Sequence, residues 1–213
     1  MRLPVPGRVK TRLARDLGDE AACCLYRAMV ADTIAAVRGC GLPLFLFHDG
    51  QDADGLPPDW TGAADAVFRQ EGESLGERMC TAFDRSFAAG ARGVILTGSD
   101  IPGIDAPLLR SALESLEHHD AVFAPAFDGG YCLVASKDSR FNSRIFESIP
   151  WSTSSVLDMT VAVCIANGLS YCLLEPRQDI DTMDDLAAYC RTPSESAAAT
   201  NAWLASRGLL TCL

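Results

Sequence analysis

The chain has 213 residues, of which 48% are apolar and 22% charged, and it carries a net charge of −10 at neutral pH. This composition fits one globular domain with a substantial core, not a fibrous or disordered chain. The acidic balance argues against non-specific nucleic-acid binding, and no apolar run approaches the roughly 20 residues of a membrane-spanning helix. The N-terminus lacks the apolar region of a secretory leader. The nine cysteines are scattered without a CxxC pair, which predicts reduced core residues in a cytoplasmic protein, not a zinc site or a disulfide framework.

Residues 1–15 contain Arg2, Arg8, Lys10, Arg12 and Arg15 and no acid. In an acidic protein this segment reads either as a solvated basic tail or as a phosphate-binding loop. In the second reading Gly7 permits close backbone approach and Lys10 and Arg12 supply charge. Ala22, Leu25, Tyr26, Met29, Val30, Thr33, Ile34 and Val37 then recur at three- and four-residue spacing. They predict a core-packed helix that ends at Gly39 or Gly41. Leu42–Phe47 predicts a buried strand with His48 as its polar terminator, and residues 50–62, rich in Asp, Gly and Pro, predict a loop. The stretch Arg69–Met79 leads into a second helix with Leu75, Met79, Phe83 and Phe87 on one side. Gly72 and Gly76 flank its start, either as a place where a helix N-terminus approaches a base or phosphate, or as a plain turn.

The next stretch, Gly93–Asp105, reads GVILTGSDIPGID. The apolar run Val94-Ile95-Leu96 stops at Thr97-Gly98-Ser99-Asp100, and Pro102-Gly103 breaks the chain before Asp105 caps a helix. This predicts a buried strand ending in a carboxylate at the sheet edge, where α/β proteins bind ligands. Leu108, Leu109, Ala112, Leu113 and Leu116 mark the helix, and His118-His119 closes it. Ala121–Pro125 and Tyr131–Ser136 predict two strands joined through Asp128-Gly129-Gly130, a loop open to positive φ and a ligand, or a plain hairpin. A helix over Val156–Ala166 and a strand over Leu169–Leu174 follow. Thr182 and Asp185 predict a capping box on the last helix, which leaves Asp179 and Asp181 without a structural explanation. Residues 191–213 form a tail with a weak helix around Trp203, beyond a domain over residues 1–190. Alternating strands and helices predict an α/β fold with a mainly parallel sheet.

The segments PVPGRVKTRLA, LGERM, TGSDIPG, FDGGYCLVA, IPWST and DIDTMDDL occur in that order. Together they resemble the bacterial glycosyltransferase-A-like proteins associated with radical-SAM enzymes. These belong to the nucleotide-diphospho-sugar transferase superfamily and are related to the molybdenum-cofactor and phospholactate guanylyltransferases. The resemblance implies a three-layer αβα sandwich with a mixed, mainly parallel sheet. It also implies a nucleoside triphosphate or nucleotide sugar, bound with Mg²⁺ or Mn²⁺. It assigns Gly7, Arg8, Lys10 and Arg12 to a phosphate loop, Gly76 to the base, Asp100 and Asp181 to the metal, and Asp128, Gly129 and Gly130 to the acceptor side. The family has a hydrophobic strand before its phosphate loop. Met1-Arg2-Leu3 leaves no room for it, so that strand is expected to be missing and the natural protein to extend upstream.

The expected reaction is transfer of a nucleoside monophosphate to a small phosphorylated acceptor, with Lys10 and Arg12 on the β- and γ-phosphates. An acceptor that is already ionised needs no general base. Glycosyl transfer from a nucleotide sugar is the alternative, although Gly98-Ser99-Asp100 supplies one acid where many such enzymes carry a D-x-D triplet. A non-catalytic nucleotide-binding protein is the third reading. The expected partners are small molecules, without nucleic acid or membrane, and the chain is expected to be a monomer or homodimer.

Overall fold

The computed structural model describes residues 1–210; the end of the predicted tail, residues 211–213 with Cys212, lies outside the described residues. The chain runs through α1 (Thr11–Leu17), α2 (Asp19–Gly39), β1 (Phe45–His48), α3 (Pro58–Ala63), β2 (Ala66–Arg69), α4 (Leu75–Ala88) and β3 (Gly93–Thr97). It continues with α5 (Ala106–Leu116), β4 (Ala121–Pro125), β5 (Tyr131–Lys137), α6 (Val156–Ala166), β6 (Tyr171–Leu173), α7 (Met183–Arg191) and α8 (Ala198–Ser206). These elements gather into two compact units. One comprises Met1–Arg69, Ser99–Ala106 and Gln178–Leu213, and the other Gln70–Gly98 and Pro107–Arg177.

The first unit is built on α2. Its helical stripe buries Leu25, Met29 and Val30 against Leu13 of α1, Trp60 of α3, Ile180 and Leu186. The predicted loop over residues 50–62 therefore contains a helix. Pro58 suits its first turn, and Trp60, 2% exposed, fills the core. Strand β2 has only four residues and no clear alternation, so the sequence pattern does not reveal it; it pairs in parallel with β1, Phe45 opposite Ala66. Among the described residues no strand precedes the basic loop. Met1 nevertheless lies opposite His48, its amine donating to Phe47 O and its carbonyl accepting from Asp49 N, the bonding pattern of a parallel ladder. His48 itself is buried, and burial lowers its imidazole pKa.

The C-terminal tail is not an appendage. Helix α8 buries Leu204 in the same core, and the buried Asp32 of α2 accepts hydrogen bonds from Ala199 N and Thr200 N. Asp32 thus supplies the N-terminal cap that the α8 sequence itself lacks.

In the second unit the strand order is β3-β5-β4-β6, with β5 antiparallel to both β3 and β4 and β6 parallel to β4. The β4–β5 connection is a hairpin. The core is aromatic: Phe83 stacks on Phe141 at 4.8 Å and packs beside Phe87 and Phe146. Ser74 caps α4 by accepting from Glu77 N. Leu75, expected on the buried side of α4, is 50% exposed, while its neighbour Gly76 is the residue of that turn that meets the core. The eight described cysteines are free thiols. Among the described residues no helix is long and apolar enough to cross a membrane.

Asp32→Ala removes the cap that ties the tail to α2. The expected loss is about 1–2 kcal/mol of stability in denaturant unfolding, with early proteolysis within residues 192–210. Unchanged stability contradicts the assigned role.

Candidate functional site

Three segments of the first unit converge on one ammonium group. Lys10 lies in the left-handed region, with φ 47° and ψ 44°, immediately before α1. A non-glycine residue there costs on the order of 1–3 kcal/mol, and such conformations persist where surrounding interactions enforce them. Here the side chain is 3% exposed, and its Nζ lies 2.9 Å from Asp100 Oδ2 and 2.7 Å from Asp181 Oδ1. Burial acts to lower the ammonium's pKa, but the two aspartates outweigh it and hold the value above that of ordinary lysine. The carboxylates keep 39% and 44% of their side-chain surface in solvent. Their other oxygens, Asp100 Oδ1 and Asp181 Oδ2, carry no hydrogen bond or ion pair among the described residues.

Each acid is aimed by its local sequence. After Asp100, Ile101 and Ile104 are buried, and Ile104 N donates to Ile101 O across Pro102-Gly103. This β-turn, with proline at its second position, pins the loop at two apolar points and leaves the acid at its outer end. Beside Asp181, Ile180 is fully buried and Thr182 is extended, while the Asp181 side chain stays 44% exposed. The predicted capping box is present: Asp185 N donates to Thr182 Oγ1, and Asp185 Oδ2 accepts from Thr182 N. The same Oδ2 also accepts from Asp181 N at 3.1 Å, so the helix cap fixes the backbone of the acid as well.

Tyr26 joins these parts. It occupies the core stripe of α2 and is 3% exposed, with its ring edge-on to Trp60. Its hydroxyl accepts from Arg2 N, donates to Arg2 O and lies 3.4 Å from Ser99 Oγ, beside Asp100. Burial pushes its phenol up to about 12, so it stays a neutral bridge. Helical periodicity assigns Tyr26 to packing alone. The available signal is its hydroxyl, because a buried tyrosine usually places that group against a partner.

The other predicted site residues are placed as follows. Gly7, at φ 75°, sits in the exposed basic loop beside the Asp19 carboxylate. Arg8 and Arg12 are exposed and form no ion pair among the described residues. Lys10, expected on the β- and γ-phosphates, is buried and paired with both aspartates. Gly76 belongs to the second unit. A Cβ there would fall 2.6 Å from Phe146 O and 3.1 Å from the Trp151 ring, so packing within that unit already requires glycine. At Gly129 a Cβ would collide with the backbone of Ser154, and Gly129 O accepts from Leu157 N. Gly130 N donates to Asp128 Oδ1. The Asp128-Gly129-Gly130 loop is thus a hairpin locked onto the start of α6.

The profile of the DUF2064 family, described as an uncharacterised protein conserved in bacteria, matches residues 33–153. The chain belongs to this family. Its fold matches that of a crystal structure from Desulfovibrio desulfuricans G20, provisionally described as a nucleotide-diphospho-sugar transferase, at 34% identity and a TM-score of 0.90. That match covers 99% of this chain and 93% of the other. A 2-phospho-L-lactate guanylyltransferase of Methanothrix thermoacetophila is 31% identical over 138 residues, covering 63% of this chain and 58% of the relative. The chain thus matches less than two thirds of that relative's length. A cytidylyltransferase from Leptospira borgpetersenii covers 100% of this chain and 94% of its own at a TM-score of 0.51, but at 12% identity it shows a shared fold alone. This DUF2064 chain therefore has the α/β fold of the nucleotide-diphospho-sugar transferases. The match to the family profile includes Asp100 but neither Lys10 nor Asp181.

Tyr26→Phe keeps the ring and deletes the bridge. It is expected to cost about 1 kcal/mol in denaturant unfolding, because the Arg2 backbone groups lose their partner. Wild-type stability in that variant contradicts a bridging role.

Proposed function

We propose that this chain is a nucleotidyltransferase that moves a nucleoside monophosphate from a nucleoside triphosphate to a small phosphorylated acceptor. The observation that carries this reading is the convergence of Asp100 and Asp181, distant in sequence, on one point beside an exposed basic loop. The guanylyltransferase relative supports the reaction class. It also makes GTP and 2-phospho-L-lactate the first donor and acceptor to test.

In this reaction an acceptor phosphate oxygen attacks the α-phosphorus. The bond from the α-phosphorus to the bridging oxygen breaks, and pyrophosphate leaves with the electron pair. No proton need be removed from an ionised acceptor, so the task is to bring anions together and to stabilise charge on the leaving group. Arg8 and Arg12, exposed and unpaired among the described residues, take the β- and γ-phosphates through their guanidinium forks. Lys10 holds the two carboxylates at a fixed separation.

The donor set fits magnesium or manganese. Both acids are half-exposed and oxygen-donating, and hard cations are bound through one or two carboxylates completed by substrate phosphates and water. Among the described residues no group of three or more acid, histidine or cysteine side chains is placed to hold a metal ion, so the two aspartates would rely on phosphate and water for the remaining ligands. Asp100 and Asp181 would hold it, and when bound it supplies Lewis-acid stabilisation of phosphate charge. We place the reaction in the cytoplasm, in keeping with the free thiols.

Glycosyl transfer is kept as the second reading because the relative from Desulfovibrio is described as a sugar transferase. Pyrophosphate release with each nucleoside triphosphate across a panel of phosphorylated acceptors tests the first reading. Release of a nucleoside diphosphate from nucleotide sugars tests the second. Asp100→Asn is expected to lower turnover by about a hundredfold or more with an unchanged far-UV spectrum. Equal turnover removes Asp100 from the site.

A further inference from the structure

We propose that Lys10 sets the affinity of the Asp100–Asp181 pair for a divalent cation, keeping it low until a nucleotide's phosphates arrive with the ion. This rests on the metal-dependent reading above and deepens it.

Lys10 lies beneath the two acids that it touches. Its side chain is 3% exposed, whereas the acids it touches are 39% and 44% exposed. The ammonium therefore lies on the protein side of the carboxylates, and their unengaged oxygens, Asp100 Oδ1 and Asp181 Oδ2, are the ones an ion would use. Two carboxylates alone present a charge of −2; with the ammonium at hydrogen-bond distance the cluster carries −1. A divalent ion entering from solvent meets both the reduced charge and the repulsion of a fixed cation immediately behind it. Lys10 cannot swing clear at little cost. Its backbone leads directly into α1, and its neighbours Val9 and Leu13 are buried in the core of the first unit.

Phosphates reverse this balance. They bring negative charge and further oxygen ligands, which a small hard cation needs when the protein offers only two acids. The exposed Arg8 and Arg12 take up the remaining phosphate charge. The cluster is thus built to accept a metal–nucleotide complex in preference to the bare ion. The same ammonium keeps the two acids from repelling each other apart before the complex arrives.

The test uses the full chain with Mn²⁺ as probe, free Mn²⁺ being read by electron paramagnetic resonance in the absence of nucleotide. Lys10→Met, similar in length and uncharged, is expected to bind Mn²⁺ about tenfold or more tightly than wild type. Lys10→Arg, which keeps the charge, should remain near wild type. Adding Asp100→Asn to Lys10→Met should abolish the gain. Should Lys10→Met fail to fold by circular dichroism, the wild-type chain alone decides. Its affinity for Mn²⁺ must rise about tenfold or more when a non-hydrolysable triphosphate is present, after correction for ion bound by the analogue itself. Equal affinity in wild type and Lys10→Met, or no gain with the analogue, overturns the inference and leaves the transferase reading standing. Absence of Mn²⁺ binding in every arm, with pyrophosphate release proceeding in chelator, overturns both.

Discussion

One buried ammonium, held by two aspartates, is the interaction on which the candidate site depends. Lys10 and Asp181 are separated by 171 residues, and no local propensity brings them together. Burying a lysine costs several kcal/mol unless its charge is met, and two carboxylates brought close together repel. Each problem is the other's solution. The ammonium is acceptable in the interior because it has two partners, and the partners can stay close because it lies between them. Charge and backbone strain thus locate the centre of the site before any ligand is considered.

Around that centre the structure uses ordinary devices to hold exposed acids still. Buried isoleucines flank or follow each one: Ile101 and Ile104 after Asp100, and Ile180 before Asp181. Asp185 serves two purposes, capping α7 and binding the Asp181 amide, so the start of a helix also fixes the backbone of Asp181. Tyr26 ties Arg2 to Ser99 from within the α2 core stripe. Apolar anchors and shared hydrogen bonds thus fix the chain at both acids while the carboxylates keep 39% and 44% of their side-chain surface in solvent.

Much of this was legible in the sequence, for identifiable reasons. Strong periodicity revealed α2, and Val156–Ala166 and Ala121–Pro125 fall at the observed bounds of α6 and β4. The capping box of α7 followed from Thr182 and Asp185. Short elements were harder: α3 looked like loop because its prolines and glycine dominate local composition, although Trp60 needed a core. The tail read as peripheral because the cap for α8 comes from Asp32, far away in sequence, and no local pattern encodes it. The pairing of Asp100 with Asp181 was inferred from family resemblance. The placement of Lys10 between them was not, since a lysine in a basic glycine-containing loop looks like a phosphate ligand until its burial is seen. At Gly76 and Gly129 packing against Trp151 and Ser154 is by itself enough to require glycine, a reason no local sequence pattern carries.

The most direct measurement is a double-mutant cycle on unfolding free energy, using Lys10→Met, Asp181→Asn and the pair together. If one ammonium and the carboxylate form a single electrostatic unit, the two substitutions will be strongly non-additive, with a coupling of about 1 kcal/mol or more. Additive losses would mean that Lys10 and Asp181 act independently, and the central contact of the site would not exist in solution.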